Sequence, residues 1–269
     1  MMFRPRLTFV VLVAACALCA AGCVPLTYGP EAARRELAMR GVPFREGVFV
    51  ERAGAGDLRA VQLFLAGGMS PDVKNENGET PLIVASRYNR PVVVNVLLEA
   101  GADVNAADGE RMTALMNAAR AGSEEITRML LAKRADPNAR AAQGSTALMF
   151  AVQRDNPAVV ALLLDAGADV NASDGAIGPA LTWGVYYNHL STCALLLERG
   201  ADPNAQNDVG GTALMLAAAN GRADAIRFLL DNGARLDLKD ENGSTALDWA
   251  LKAHRPEAAQ MLREARAKR

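Results

Sequence analysis

The feature that most constrains this chain is a strict 33-residue period. A short motif recurs at that spacing, with threonine or proline first and leucine last: Thr80-Pro81-Leu82, Thr113-Ala114-Leu115, Thr146-Ala147-Leu148, Pro179-Ala180-Leu181, Thr212-Ala213-Leu214 and Thr245-Ala246-Leu247. A second motif, GADVN at 101–105, recurs in phase at 167–171, 200–204 and, more loosely, 233–237. No insertion breaks the phase, so each unit must be a supersecondary element that buries its apolar face against its neighbours. An elongated array is predicted.

Each unit has the pattern of two short helices. The threonine can cap the first helix by accepting a hydrogen bond from a free backbone N–H, and Pro81 suits the first helical position. Small residues recur inside this helix, where neighbouring units come close: Ala85, Ala118, Ala151, Gly184, Ala217 and Ala250. The residues expected to end it tolerate a left-handed backbone: Asn89, Gly122, Asp155, Asn188, Gly221 and His254. A leucine-rich second helix follows, which starts with proline in three units.

This pattern resembles the ankyrin repeat, whose units have 33 residues and contain a turn and two helices. The resemblance covers about residues 42–265 and implies an all-α ankyrin-repeat solenoid of helix-turn-helix units with hairpin-like tips. The chain departs from the family pattern at several points. Apolar residues such as Met116 and Met149 mostly replace the usual histidine, Arg134 stands where glycine would end a second helix, and Pro179 removes the threonine cap of the fourth repeat. Strain is expected at Arg134.

The chain is predicted to have five parts. These are a lipoprotein signal peptide (1–22), a lipid anchor and tether (23–30), a capping helix (31–46), a degenerate N-terminal repeat (47–75) and six ankyrin repeats with a C-terminal cap (76–269). Arg4 and Arg6 precede the apolar run 7–18, which is too short to span a bilayer but suits a secretory signal. Residues 20–23 (AAGC) resemble the bacterial lipobox, which implies lipidation of Cys23. The alternative is an ordinary signal peptide cleaved near Gly22.

This resemblance predicts a bacterial envelope lipoprotein that faces the periplasm. Because Val24 rather than aspartate follows the cysteine, the outer membrane is the expected destination. More than one acyl chain makes such anchoring stable. Once the signal is removed and Cys23 is lipidated, Cys193 has no partner for an intramolecular disulfide.

Motifs for catalysis or cofactor binding are missing from the sequence. It contains no HExxH, CxxC, GxGxxG, GxxxxGK or GxSxG motif, and its two histidines, His189 and His254, fall at structural positions of the repeat. Cys193 aligns with valines of other repeats and is expected to be a buried apolar residue. We therefore predict no enzyme activity, no cofactor and no metal. The net charge of −1 argues against nucleic-acid binding, and a monomer is expected.

The ankyrin resemblance implies a partner-facing concave groove formed by the tips and first helices. Carried over by position, its residues are Arg87, Tyr88, Met112, Arg120, Arg140, Gln143, Gln153, Arg154, Trp183, Tyr186, Tyr187, Asn220 and Lys252. Tyrosine, tryptophan and arginine are enriched at interface hot spots. For Trp183 the alternative is packing within the helix layer, and for the arginines it is a solvated face rather than a basic stripe.

The predicted function is a lipid-anchored periplasmic module that binds a protein partner in this groove and catalyses nothing. Two alternatives remain open. The first is an envelope stress-protection or scaffold factor with several weak partners. The second is an immunity or inhibitor protein against a periplasmic toxin.

Overall fold

The structure is a computed structural model that describes residues 29–268. The predicted signal peptide and Cys23 lie outside the described residues. Within them, fifteen helices follow one another: α1 (Pro30–Met39), α2 (Glu46–Ala55), α3 (Leu58–Ala66), α4 (Pro81–Arg87), α5 (Pro91–Glu99), α6 (Ala114–Ala121), α7 (Glu124–Ala132), α8 (Ala147–Gln153), α9 (Pro157–Asp165), α10 (Ala180–Tyr187), α11 (Leu190–Glu198), α12 (Ala213–Asn220), α13 (Ala223–Asp231), α14 (Ala246–Lys252) and α15 (Pro256–Ala267).

From α2 onward, the helices form seven antiparallel pairs. The even-numbered helices α2 to α14 pack on one another in sequence order and form the inner row. The odd-numbered helices α3 to α15 form the outer row. Each pair contacts only its neighbours in this way, and the predicted all-α solenoid is confirmed. We number the full repeats one to six from the pair α4–α5.

The N-terminal helix α1 covers the outer helix of the first pair. Ala33 and Leu37 are fully buried on the side that packs against α3. The rings of Phe44 and Phe64 stack with centroids 5.5 Å apart, and the guanidinium of Arg34 lies 4.7 Å from the Phe44 ring centre. This packing removes the apolar surface of α3 from water.

Helix ends follow the sequence pattern with one exception. The hydroxyls of Thr80, Thr113, Thr212 and Thr245 accept hydrogen bonds from backbone N–H groups of the helices they precede. Thr146 was expected to do the same, but its hydroxyl makes no hydrogen bond, and Pro179 leaves α10 without a side-chain cap. All six residues predicted to end a first helix have a left-handed backbone, as does Arg134 with φ of 64°. A side chain is strained in that conformation.

The loops between one outer helix and the next inner helix project from the array, and we call them fingers. They comprise residues 67–80, 100–113, 133–146, 166–179, 199–212 and 232–245. At their bases, a ladder of asparagines joins neighbouring repeats. The Oδ1 atom of Asn171 accepts from Asp202 N–H at 2.8 Å, and its Nδ2 donates to the carbonyl of Gly200 at 3.2 Å. Asn105, Asn138 and Asn204 make the equivalent bonds.

Candidate functional site

The predicted partner-facing residues lie along the space between the fingers and the inner helices, which we call the inner groove. A depression of about 440 Å³ opens in this groove at repeats two to four. Three inner helices, α6, α8 and α10, and two fingers contribute its walls. Its lining residues are Glu110, Met112, Arg120, Ala141, Ala142, Gln143, Ser145, Phe150, Gln153 and Trp183. We call this depression the central pocket.

The floor of the central pocket is apolar. Phe150 is half-buried and sits in α8, while Trp183 from α10 is only 8% exposed. Met112, which was predicted to face a partner, is 5% exposed and belongs to the core, and it also lines the pocket. The cause is its place directly before the cap Thr113, where the finger folds back and Met112 N–H donates to Asp108 Oδ1 at 2.8 Å. Trp183 combines both expected roles, because it packs in the helix layer and lines the pocket.

The rim of the central pocket carries polar side chains held in place by neighbours. Arg120 donates from Nη2 to Asn117 Oδ1 at 3.0 Å, and its guanidinium carbon lies 5.8 Å from the Phe150 ring centre. Gln153 donates to the hydroxyl of Tyr187 at 2.8 Å, which joins α8 to α10. A cation and an amide therefore stand next to an apolar floor.

The third finger, which lines the central pocket, differs from the other fingers at one position. Ala141 lies where each other finger carries asparagine or aspartate: Asn75, Asp108, Asp174, Asn207 and Asp240. In those five fingers the side-chain Oδ1 accepts two backbone N–H groups of the same finger. The methyl side chain of Ala141 has no oxygen to accept these hydrogen bonds and is smaller than an aspartate or asparagine side chain. The third finger, one of the two that line the central pocket, is thus the one without this side chain.

The aromatic residues of repeat four divide into a packed ring and an exposed one. Tyr187 lies 6.0 Å from the Trp183 ring, stacks on His189 at 5.9 Å and packs against the core. Tyr186 meets Tyr187 edge to face at 5.0 Å and is 44% exposed. Only Tyr186 of this pair offers a large free surface.

At the N-terminal end of the groove, Tyr88 is 55% exposed beside a second depression of about 440 Å³. Arg87 lies in the same depression and pairs with Glu79 and, at 3.8 Å, with Asp108. Partial burial alone would raise the pKa of Glu79, but hydrogen bonds from Asn75 and Arg87 outweigh it and hold that pKa below 4.5. The charge of Arg87 is therefore neutralised within the chain.

The remaining predicted groove residues are exposed, and each makes a hydrogen bond within the chain. Arg140 reaches the next finger and donates to the Ser173 carbonyl at 2.7 Å. Arg154 donates to the Arg120 carbonyl at 2.7 Å, which joins repeats two and three. The other two bond within their own repeat, Asn220 to the Leu216 carbonyl and Lys252 to the Ser244 hydroxyl.

Sequence reasoning passed over two residues of the groove, Phe150 and Asn117. The sequence could have indicated them, because both occupy the same position of the 33-residue repeat as Trp183 and Trp249. Asn117 Oδ1 accepts from both Arg87 and Arg120, at 3.2 and 3.0 Å, so it positions the two guanidinium groups.

The reactive side-chain types of the described part of the chain have structural roles. Cys193 is fully buried as predicted, and burial raises the pKa of its thiol to about 12, so the nucleophilic thiolate does not form near neutral pH. His189 lies with Nδ1 2.9 Å from the Val152 carbonyl, in a structural contact between repeats. Residues 29–268 contain no cluster of three or more side chains suited to hold a metal ion. No helix in this range has the length and apolar character needed to cross a bilayer.

Comparisons with known proteins agree with this architecture. The sequence matches the family described as ankyrin repeats (three copies) over residues 50–141, 107–174 and 180–268. The ankyrin repeat domain of Bcl-3, a unique member of the IkappaB protein family, is a similar solved structure with 35% identity and a TM-score of 0.69, covering 80% of this chain and 97% of that one. The human ASB11 ankyrin repeat domain is 26% identical with a TM-score of 0.71, covering 80% and 96% respectively. The chain belongs to the ankyrin-repeat family.

Proposed function

We propose that this protein is a non-enzymatic binding module that holds a segment of a partner protein in its inner groove. The observation that carries the proposal is the central pocket, where the apolar side chains of Met112, Phe150 and Trp183 meet polar rim groups on three successive inner helices. Binding sites for proteins combine a desolvated apolar centre with a polar rim. The ankyrin-repeat family supports the same conclusion, since such repeats are protein-interaction units.

The scaffold supports binding by keeping the groove fixed. The asparagine ladder and the contacts Arg140–Ser173 and Gln153–Tyr187 join adjacent repeats through side chains. Groups that are ordered before association lose little entropy when they bind. A partner would thus meet a preformed surface.

The finer proposal places this module in a bacterial envelope as a periplasm-facing lipoprotein, with the outer membrane as its destination. It is supported by the apolar run 7–18 and by the lipobox-like residues 20–23. Replacing Cys23 with serine should release the protein from the membrane fraction into the soluble periplasm. Persistence of the Cys23→Ser variant in membranes would contradict lipid anchoring.

Groove binding can be tested by photo-crosslinking. Gln143 lies exposed on the pocket rim, whereas Arg128 lies exposed in α7 on the outer row. With benzoyl-phenylalanine at position 143, irradiation should give a discrete adduct with a second protein, and the same group at 128 should not. Equal adducts from both positions, or from neither, would contradict a groove-directed module.

The scaffold alternative is favoured by the second depression around Arg87 and Tyr88, which gives the groove two separate docking points. A scaffold would give different adducts from crosslinkers at Tyr88 and at Gln143. The inhibitor alternative would give one tight partner at both positions.

A further inference from the structure

Three arginines around the central pocket have hydrogen bonds to neutral groups and no paired carboxylate in the described part of the chain. Arg120, Arg140 and Arg154 donate only to neutral oxygen atoms of Asn117, Gly144, Ser173 and the Arg120 carbonyl. Arg87 differs, because two carboxylates face it. Positive charge is therefore available at repeats two to four.

The nearby acidic groups Asp174 and Glu110 do not pair with these arginines. Asp174 directs its oxygens to Trp183 Nε1 and to the backbone N–H groups of Ile177 and Gly178. Glu110 stands on the rim of the pocket and is exposed. At position 141 the third finger carries alanine, where its neighbours have aspartate or asparagine. In the described part of the chain, the guanidinium groups of Arg120, Arg140 and Arg154 form no ion pair with these carboxylates, so they remain available to a carboxylate of a partner.

The distance between the cation and the apolar floor sets the spacing of a matching ligand. The Arg120 guanidinium lies 5.8 Å from the centre of the Phe150 ring. An extended peptide advances about 3.3 Å per residue. A large apolar side chain in the pocket and a carboxylate at Arg120 would thus belong to residues one or two positions apart.

We propose that the central pocket takes an extended acidic segment of a partner protein, with a large apolar side chain on Phe150 and Trp183 and an adjacent Asp or Glu paired with Arg120. This inference rests on the proposed function and names the chemistry of the partner. Charged groups at a rim mainly set specificity and association rate. The acidic residues would select the partner, and the apolar residue would anchor it.

The first experiment is selection of short random peptides displayed on phage against the full chain. The expected peptides carry a large apolar residue with Asp or Glu within two positions. These peptides should not be enriched when the Phe150→Leu or Arg120→Gln variant replaces the wild-type chain. Leucine at 150 keeps the fold, because Leu216 occupies the equivalent position of repeat five. Basic or uncharged peptides that still depend on Phe150 would overturn the acidic preference and leave the proposed function standing. If the same peptides are enriched equally well against both variants, or if no peptide is enriched at all, the acidic preference and the proposed function are both overturned.

A matched pair of variants in the third finger tests the charge alone. Ala141→Asn and Ala141→Asp should both gain the finger hydrogen bonds, but only the aspartate adds a negative charge to the pocket. Binding of a selected acidic peptide, measured by fluorescence anisotropy, should be about tenfold weaker for Ala141→Asp than for Ala141→Asn. Arg128→Gln on the outer row should leave binding unchanged. Equal affinities for the two Ala141 variants, or loss with Arg128→Gln, would overturn the inference.

Discussion

The indole nitrogen of Trp183 donates a hydrogen bond to Asp174 Oδ2 at 3.1 Å. Two repeats later, Trp249 makes the equivalent bond to Asp240 at 2.8 Å. In each case the aspartate also accepts two backbone N–H groups of its own finger. One carboxylate thus shapes the finger and fastens it to the following inner helix, which fixes the finger on the C-terminal side of the central pocket.

Replacing Asp174 with alanine should lower the free energy of unfolding by about 2–3 kcal/mol, because an indole N–H and two backbone N–H groups lose their acceptor together. Urea denaturation followed by circular dichroism measures the loss. Asp136 provides the control, since its exposed carboxylate accepts only from Asn138 N–H. If Asp174→Ala and Asp136→Ala cost the same, the finger contacts of Asp174 add nothing beyond a local turn.

The opposite change at the third finger should stabilise the protein. Asparagine at position 141 can accept from the N–H groups of Gln143 and Ser145, as Asn75 does from Asn77 and Glu79. Each hydrogen bond contributes about 0.5–1.5 kcal/mol, so Ala141→Asn should raise the free energy of unfolding by about 1–2 kcal/mol. Urea denaturation again measures it. Ala142→Asn, at the adjacent exposed position, should leave stability nearly unchanged, and an equal gain there would refute the finger explanation.

Local rules in the sequence predicted most of the fold. Thr80 and Thr113 cap their helices, and Asn89 and Asp155 end theirs with a left-handed backbone, because these effects depend on a few adjacent residues. Thr146 departs from the rule, since its hydroxyl lacks a hydrogen bond. Family position alone could not show that Met112, the residue before a helix cap, lies largely in the core while it also lines the pocket.

The central pocket was harder to predict than the helices. It is lined by Ala141 from a finger, Phe150 from one helix and Arg120 from another. Only the packing of three repeats brings these groups together. The two tyrosines show the same limit, since Tyr187 packs against the core while Tyr186 is exposed.

Gly184 and Cys193 form a matched pair in repeat four. A Cβ atom added at Gly184 would lie 2.5 Å from the Cys193 sulfur, although five other repeats carry alanine at this position. Gly184→Ala should therefore destabilise the protein by about 1–3 kcal/mol through overpacking. Urea denaturation of the variant tests this cost.

The rescue of this variant follows from the other repeats. Ala85 with Val94 and Ala151 with Val160 occupy the same two positions in repeats one and three. Gly184→Ala combined with Cys193→Val should recover the loss and gain up to about 1 kcal/mol, because alanine favours a helix more than glycine. Additive losses in the double variant would show that the two residues do not share this contact.

The C-terminal repeat should weaken at acid pH. A hydrogen bond from the backbone N–H of Ser244 and another from the indole of Trp249 lower the pKa of Asp240 below its ordinary value of 3.8. Hydrogen bonds from the backbone and hydroxyl of Thr245 do the same for the pKa of Asp248. A carboxylate with a lowered folded-state pKa contributes stability that is fully present above its unfolded value and is lost as the pH falls through its folded value. The loss should thus begin below pH 3.8.

Urea denaturation at pH 7, 5 and about 3 measures this dependence. Asp240→Asn should flatten the decline between the two lower pH values, because the amide oxygen can still accept from the N–H groups of Asn242 and Ser244 but does not titrate. The Trp249 hydrogen bond uses the other carboxylate oxygen, so this variant loses it at every pH. Glu241→Gln is the matched control, since Glu241 is the exposed neighbour of Asp240 and should leave the decline unchanged. If the decline is as steep with asparagine at 240, the carboxylate that holds the last finger on α14 is not the group that titrates, and the acid sensitivity must come from elsewhere in the array.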